Sequence, residues 1–486
     1  MILLAVLGPG IITMVADNDA GGISTYAQTG ARYGFSFLWV FFILIPMAYY
    51  VQEMTVRLGA VTKRGHAEAI FDAFGSFWGW FSIFDLALIN WLTLVTEYIG
   101  MTAAMRMFGI PEWITYGVVS AILMGVVVTG KYWTFEKVTL FFCLFNFVYI
   151  PAAFWAMQTD WAPAWGKVGQ GFYNPWPEFS AAAKSQLIMM IMANIGTTIT
   201  PWQIFFQQSA VVDKGMDVRD IRFGKFDTFA GSFFTGLVAI FIIIATGAAF
   251  YYHPKDGTAA PPGATGLPVH SVEASAHAEA LAEPVARALA EPVARARAVS
   301  PGESAGNPSN ATESDEQAAA NPYNLVDARD AGEKIARLLP SDVGHWARFL
   351  FAIGLFDAGF LGALCISLST SWAVGEVFGW AHSLNKSVKE APWFYVVYLG
   401  TLLSAGSVVL LATRDTQSQI TIFVQVVAVT LLPAALTFLI LLLNDEPLMG
   451  RYVNSRWQNI VNWGIVLFVI VVSTMFGISV LFGGAS

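Results

Sequence analysis

Long apolar runs follow one another along the chain with short polar stretches between them. A bilayer core takes about 20 mostly apolar residues in a helix, and by that measure the chain holds about 11 spans. They lie near 3–31, 36–60, 79–107, 112–129, 134–157, 185–211, 224–252, 346–378, 392–412, 418–443 and 457–483. In hydrocarbon every backbone N–H and C=O needs an internal partner, so runs of this length predict helices. Barrel strands would be shorter and would alternate apolar with polar positions, which these runs do not. The expectation is an all-α integral membrane protein, with residues 1–252 forming helices one to seven and 346–486 forming helices eight to eleven.

Residues 253–345 break the pattern. They are rich in Ala, Pro, Glu and Ser and contain the octapeptide ALAEPVAR twice in tandem, at 280–287 and 288–295. Such a composition cannot bury a core, which predicts a disordered loop. His270 and His277 within it read as solvated residues rather than metal ligands. Asn310-Ala311-Thr312 fits a glycosylation sequon.

Composition agrees with the apolar pattern. Of 486 residues 56% are hydrophobic and only 12% are charged, against about 25% charged in a soluble chain. The net charge of −8 says little about partners, since much of it sits in the polar insertion. Cys143 and Cys365 lie in apolar runs, outside any CxxC or Cys/His cluster, so nothing supports a disulfide or zinc site. The run just after Met1 lacks a basic n-region and a clear cleavage site, and it reads as a retained helix. No P-loop, catalytic triad or metalloprotease motif appears, so an ATP-driven pump or a membrane hydrolase has no positive support. The expected partner is the lipid bilayer, with no nucleic acid and no resident cofactor.

Lys and Arg set the orientation. Segments after even-numbered spans carry 13 of them, among them Arg57, Lys63, Arg64, Lys214, Arg219 and Lys225, against 5 in the short segments after odd-numbered spans. The positive-inside rule then predicts a cytoplasmic N-terminus, an outer C-terminus and an outward-facing 253–345 loop in a plasma-membrane protein.

Two spans carry residues that a continuous lipid-facing helix would not tolerate. The first places Gly8-Pro9-Gly10 ahead of Asp17-Asn18-Asp19-Ala20-Gly21-Gly22. A carboxylate in mid-membrane costs several kcal/mol unless it faces a cavity or a cation, and the paired glycines let the helix unwind. The sixth has an apolar start, then Asn194, Gly196, Thr197, Thr198, Thr200 and Pro201, then an apolar finish. Pro201 removes a backbone donor, and the threonines offer hard oxygen ligands. Interruptions at corresponding points of two halves predict a transport site between two inverted five-helix repeats, a LeuT-type 5+5 arrangement with an eleventh helix added. The plainer alternative is two packing helices kinked by Pro and Gly.

The residues around these breaks resemble the NRAMP family of divalent-metal transporters over nearly the whole chain except 253–345. The likeness rests on GPG at 8–10, Gly30-Ala-Arg-Tyr-Gly34, Phe37-Leu-Trp-Val40, QEMTVRLGAVT at 52–62, TEYIG at 96–100 and QVV at 425–427. It puts the family's Asp-Pro-Gly-Asn motif on Asp19-Ala20-Gly21-Gly22 and its Met-Pro-His motif on Thr200-Pro201-Trp202. The acidic ligand is kept as Asp19, while the family's Asn and Met ligands become Gly22 and Thr200. A thioether is soft and favours Mn²⁺ or Fe²⁺. Its loss leaves oxygens, and losing both side chains implies a roomier site for a part-hydrated Mg²⁺. The departures resemble the NRAMP-related magnesium transporters.

The same resemblance implies a ligand set of Asp19, Thr200, the carbonyls of Ala16 and Thr197, Gln425 and the space at Gly22. Thr200 can instead bond its own helix's i−4 carbonyl, and Gln425 can instead make an interhelical hydrogen bond. Asp17 and Asn18 either hold a second shell of water or simply help unwind the helix beside Gly21; Pro201 and Trp202 mark the second break. Of the family's helix-three acids only Glu97 remains, and Trp202 and Gln207 replace its histidines, so proton coupling is expected to be weak or absent, with Glu97 as a residual path. Glu53, Asp85, Asp227 and Asp357 read as paired structural or interfacial acids. The expected function is secondary transport of Mg²⁺, with Mn²⁺ also accepted. The rivals are a proton-coupled Mn²⁺/Fe²⁺ importer and an organic-solute carrier on the same fold.

Overall fold

A computed structural model describes residues 8–128, 131–158, 162–173, 181–252, 328–338 and 341–482. Nearly all of them are helical. In chain order the helices are α1 (Pro9–Val15), α2 (Ala20–Tyr33), α3 (Phe41–Thr62), α4 (His66–Phe74), α5 (Ser76–Arg106), α6 (Glu112–Val128), α7 (Tyr132–Cys143), α8 (Tyr149–Ala156) and α9 (Trp165–Tyr173). They continue as α10 (Ala181–Thr198), α11 (Pro201–Asp213), α12 (Ile221–Thr246), α13 (Ala328–Leu338), α14 (Ser341–Phe378), α15 (Pro392–Val409), α16 (Arg414–Leu443), α17 (Glu446–Met449) and α18 (Arg456–Phe482).

Among the described residues nine helices are long and apolar enough to cross a membrane, and Glu112–Val128 is a shorter apolar one. The first expected span is split into α1 and α2, and the sixth into α10 and α11. Large apolar side chains stand on the outer surface, Phe77 (71% exposed), Trp113 (67%) and Trp457 (66%) among them. Rings that water would not tolerate in such numbers suit lipid and its interfaces.

The split helices lie at the centre. α1 packs on α12 and α7, while α2 touches α5, α10, α12, α14 and α16. Hydrogen bonds tie α2 to α10: Asn194 Nδ2 donates to Thr29 Oγ1 at 2.8 Å, and Tyr26 and Thr198 share one at 3.1 Å.

The expected 253–345 loop needs correction at its end. Residues 328–338 form α13, and α14 already begins at Ser341. Ala331 and Ile335, four apart on one face, are buried beneath the molecule, and Gly332 sits against Phe351. A few apolar residues in register suffice for a helix when a neighbour covers them. The octapeptide repeats, His270, His277 and the sequon at Asn310 lie outside the described residues. The short helices α4 and α9 were not expected; each is too short to span and runs between spans.

Candidate metal site at the helix breaks

Both breaks leave backbone oxygens without helical partners, for reasons written into the residues. At the end of α1 the Asp17 and Asn18 N–H groups turn back to Met14 and Val15 at 3.3 and 3.2 Å, and the regular ladder resumes only with Ile23 to Asp19 at 2.9 Å. The Ala16, Asp17 and Asn18 carbonyls between take no backbone donor among the described residues. At the second break the Thr197 carbonyl would ordinarily meet the N–H of residue 201. Pro201 has none.

Asp19 is the N-cap of α2, its Oδ1 accepting the Gly22 N–H at 2.6 Å. A short acidic side chain is well suited to this position, and the positive end of the helix stabilises its charge. The other oxygen, Oδ2, is buried with Glu97 alongside, and the Asp17 carboxylate lies beside Gln203; among the described residues neither of these, nor Asn18 Oδ1 or Thr197 Oγ1, completes a hydrogen bond. Asp17, Asn18, Asp19, Thr197 and Thr200 are all 0% exposed. An ion reaches this cluster only when the surrounding helices separate.

The glycines show how closely the breaks meet. A methyl on Gly22 would lie 2.8 Å from Thr197 Oγ1, 3.1 Å from the Asp17 carbonyl oxygen and 3.2 Å from Asp19 Oδ1. One on Gly21 would strike Gln425 Nε2 and lie 3.2 Å from Thr96 Oγ1. One on Gly362 would lie 2.7 Å from Glu97 Oε2 and 3.0 Å from Asp19 Cβ. Asp19, Gly22, Thr197, the Asp17 carbonyl, Gly21, Gln425 and Glu97 therefore share one centre. The expectation of extra room at Gly22 is corrected here: Thr197 and the Asp17 carbonyl already crowd that position.

The other expected residues fall around this centre. Glu97 Oε2 accepts the Ala20 N–H at 3.0 Å, satisfying a free donor at the start of α2. Among the described residues Gln425 Nε2 makes no hydrogen bond, and Asn18 Nδ2 donates to the Thr235 carbonyl at 3.3 Å. Ala16 closes α1 as its C-cap, and Pro201 opens α11. Thr200 caps α11: its N–H donates to Gln203 Oε1 at 3.0 Å, while its hydroxyl faces the Gln203 amide without completing a hydrogen bond. Trp202 turns elsewhere, its carbonyl accepting from Ser369 and its ring against Phe206.

Gln203, close to Asp17, is a site neighbour that the reading of the sequence missed, although the Thr200-x-x-Gln203 spacing of a capping box announces it. The structural acids are paired as expected: Glu53 with Arg57 at 3.2 Å and Lys225 at 2.6 Å, and Asp357 with Asn146 at 3.1 Å. Asp227 has a more specific task, accepting the Gly8 and Gly10 N–H groups at 3.1 and 2.7 Å and so capping α1.

Among the described residues no group of three or more His, Cys, Asp or Glu gathers to hold a metal. The donors at the breaks are one or two carboxylates with hydroxyl, amide and carbonyl oxygens. That set attracts a cation.

Comparison with known proteins follows this geometry. Residues 10–294 and 318–479 match the family model described as natural resistance-associated macrophage protein-like, Nramp. A divalent metal cation transporter, MntH, of Deinococcus radiodurans is 25% identical over 260 residues. That alignment spans 51% of this chain and 57% of the relative, so little more than half the relative's length is matched. The Eremococcus coleocola manganese transporter, solved in complex with an aromatic bis-isothiourea substituted compound, superposes with a TM-score of 0.65 at 18% identity, covering 98% of this chain and 86% of that one. MhsT, solved with L-phenylalanine, superposes with a TM-score of 0.54 at 13% identity over 97% and 98% of the two chains. The fold is the LeuT-type inverted repeat.

Proposed function

The chain belongs to the Nramp family, and on that footing we propose that it is a secondary transporter, not an enzyme, which carries divalent metal ions through the helix breaks. The observation that supports this most is the Asp19 carboxylate, wholly buried where the two breaks meet. A carboxyl group buried in this way keeps its charge only opposite a cation and otherwise takes up a proton. In this proposal the Ala16 and Thr197 carbonyls, left without helical donors by the breaks, would complete an oxygen donor set with Thr200 and Gln425.

Mg²⁺ is the proposed substrate, with Mn²⁺ also accepted. Hard oxygen donors and the lack of a thioether at Thr200 suit a hard cation. The proposed transport is downhill and not proton-coupled. What supports this is the lack of a relay: Glu97, which accepts the Ala20 N–H and lies against Asp19, is the acid retained beside the site, and Trp202 and Gln207 offer no imidazole. The chain would sit in the plasma membrane with its Lys- and Arg-rich face in the cytoplasm.

A second reading is a proton-coupled manganese importer, favoured by the manganese transporter among the structural neighbours. An organic-solute carrier is disfavoured, because Asp19 would repel a carboxylate such as that of the phenylalanine held by MhsT.

Proteoliposome flux of Mg²⁺, Mn²⁺ and Ca²⁺, with an internal pH indicator, tests the proposal. The expected result is Mg²⁺ and Mn²⁺ entry, Mn²⁺ entry blocked by excess Mg²⁺, and no acidification. Mn²⁺ entry indifferent to Mg²⁺, with an acidification abolished by Glu97→Gln, would overturn it in favour of the importer.

A further inference from the structure

On the side of α14 turned away from the helix breaks, a second group of buried polar side chains gathers. The span that holds α7 and α8 is not one regular helix. Pro151 has no N–H for the Phe147 carbonyl, and between α7 and α8 the chain winds more tightly as a 3₁₀ turn, Leu144–Val148. A 3₁₀ stretch in mid-helix often marks a functional position. Asn146 lies in this turn, 0% exposed, and its Nδ2 donates to Asp357 Oδ2 of α14 at 3.1 Å. Tyr149, one turn further on, is also buried, its ring edge-on to Phe351 at 5.2 Å. Gly354 precedes Asp357 by one turn on the same side of α14. A methyl there would lie 2.9 Å from the Tyr149 hydroxyl, so the phenol oxygen fills the space a side chain would take.

Three atoms at this interface lack a hydrogen-bond partner among the described residues: Asp357 Oδ1, Asn146 Oδ1 and the Tyr149 hydroxyl oxygen. Asp357 is 2% exposed. Its partner is a neutral amide, and among the described residues no Lys or Arg stands against it. Glu53 and Glu136, by contrast, each meet a lysine. An ionised carboxylate buried among membrane helices needs a positive charge beside it. A water molecule would join the three oxygens but bring no charge. One carboxylate with two neutral oxygens balances a single positive charge, and a divalent ion would leave one charge over. The close packing at Gly354 favours a small ion stripped of its water.

We propose that Asp357, Asn146 and Tyr149 bind a small monovalent cation, Na⁺, which stays with the protein and is distinct from the ion carried at the breaks. The two sites lie back to back across α14. Gly362, five residues beyond Asp357, is turned about 140° around the helix and faces Glu97 and Asp19. The bound Na⁺ joins α14 to the 3₁₀ turn and so steadies the helix against which Glu97 and Asp19 pack. The inference does not rest on the transport reading, because its test is made without divalent metal.

The purified full chain, in choline chloride with a chelator of divalent ions, is titrated with NaCl while its thermal unfolding midpoint is followed. KCl at equal ionic strength is the control. The wild type is expected to gain several degrees with Na⁺ and less with K⁺, as for any ligand that binds the folded state. Asp357→Asn, which keeps the shape and loses the charge, is expected to abolish the Na⁺ response. Tyr149→Phe keeps the ring on Phe351 and removes one oxygen. It is expected to weaken the apparent Na⁺ affinity about tenfold, the scale of one lost bond to a charged species. Asp19→Asn is expected to leave the Na⁺ response intact.

A wild-type midpoint that rises no more with Na⁺ than with K⁺ overturns the site. So does a Na⁺ response that survives Asp357→Asn or disappears in Asp19→Asn. Should Asp357→Asn fail to fold, Tyr149→Phe decides, and a Na⁺ affinity equal to that of the wild type overturns the site.

Discussion

Replacing Asp19 by Asn separates the helix cap this side chain makes from the metal-binding role proposed for it. One oxygen, Oδ1, caps α2 through the Gly22 N–H at 2.6 Å, and the other, Oδ2, is buried with Glu97 alongside. Asn is as good an N-cap as Asp, so its amide oxygen keeps the cap and the fold should lose less than about 0.5 kcal/mol. The charge is lost outright. Two unit charges about 4 Å apart interact by about 4 kcal/mol at an effective dielectric constant of about 20, and a divalent ion doubles that gross attraction. Desolvation of ion and carboxylate returns part of it. Removing one partner of a buried charge pair costs about 3–5 kcal/mol in net terms.

At about 1.4 kcal/mol per tenfold, Asp19→Asn should weaken metal affinity by at least about 100-fold. The assay is metal-dependent thermal stabilisation and flux of the purified protein, with the metal-free melting midpoint as the check on the fold. Asp19→Ala loses the cap as well and should lower that midpoint by the equivalent of about 1 kcal/mol. The reasoning fails if Asn binds and moves Mg²⁺ within about threefold of wild type, a difference of under about 0.7 kcal/mol. It also fails if Asn and Ala lose stability equally, since the cap would then not be the separable task described.

Three further outcomes follow from the same geometry. Gly22→Ala places a methyl 2.8 Å from Thr197 Oγ1 and 3.1 Å from the Asp17 carbonyl; overpacking of about 1–3 kcal/mol is partly offset by about 1 kcal/mol of helix propensity, so flux should fall much more than the melting midpoint. Thr200→Met adds a soft donor at the second break and should raise the flux ratio of Mn²⁺ or Cd²⁺ to Mg²⁺, measured by direct competition in liposomes; an unchanged ratio would remove Thr200 from the ion's neighbourhood. Asp227→Ala strands the Gly8 and Gly10 N–H groups, at about 1–3 kcal/mol for an unsatisfied buried donor, and hydrogen exchange in residues 8–15 should accelerate while that of α14 does not.

Much of this architecture was legible because lipid imposes simple rules on a sequence. A helix that crosses a membrane must be long and apolar, and α5, α12, α14 and α16 announce themselves on that ground alone. The two breaks were legible for the opposite reason, since Asp17, Asp19, Gly21, Gly22 and Pro201 have no place in such a helix. What escaped depends on neighbours. α13 is polar by composition and becomes a helix where Ala331 and Ile335 are covered, while the capping of α1 by Asp227 and of α2 by Glu97 joins residues 217 and 77 positions apart.

Gly22 shows the difference most clearly. In the sequence it stands for a missing ligand, and a missing side chain suggests space. In the folded chain the hydroxyl of Thr197 and the carbonyl of Asp17 come in where a side chain would be, and under the proposed function these oxygens would stand in for the amide. The replacement donors sit on two different breaks, one on each repeat. An ion bound between them would hold α1–α2 and α10–α11 together, and its departure would remove what joins them. On that argument substrate selectivity and the opening of the site are set by the same few atoms, and a side chain added at Gly22 should disturb both together.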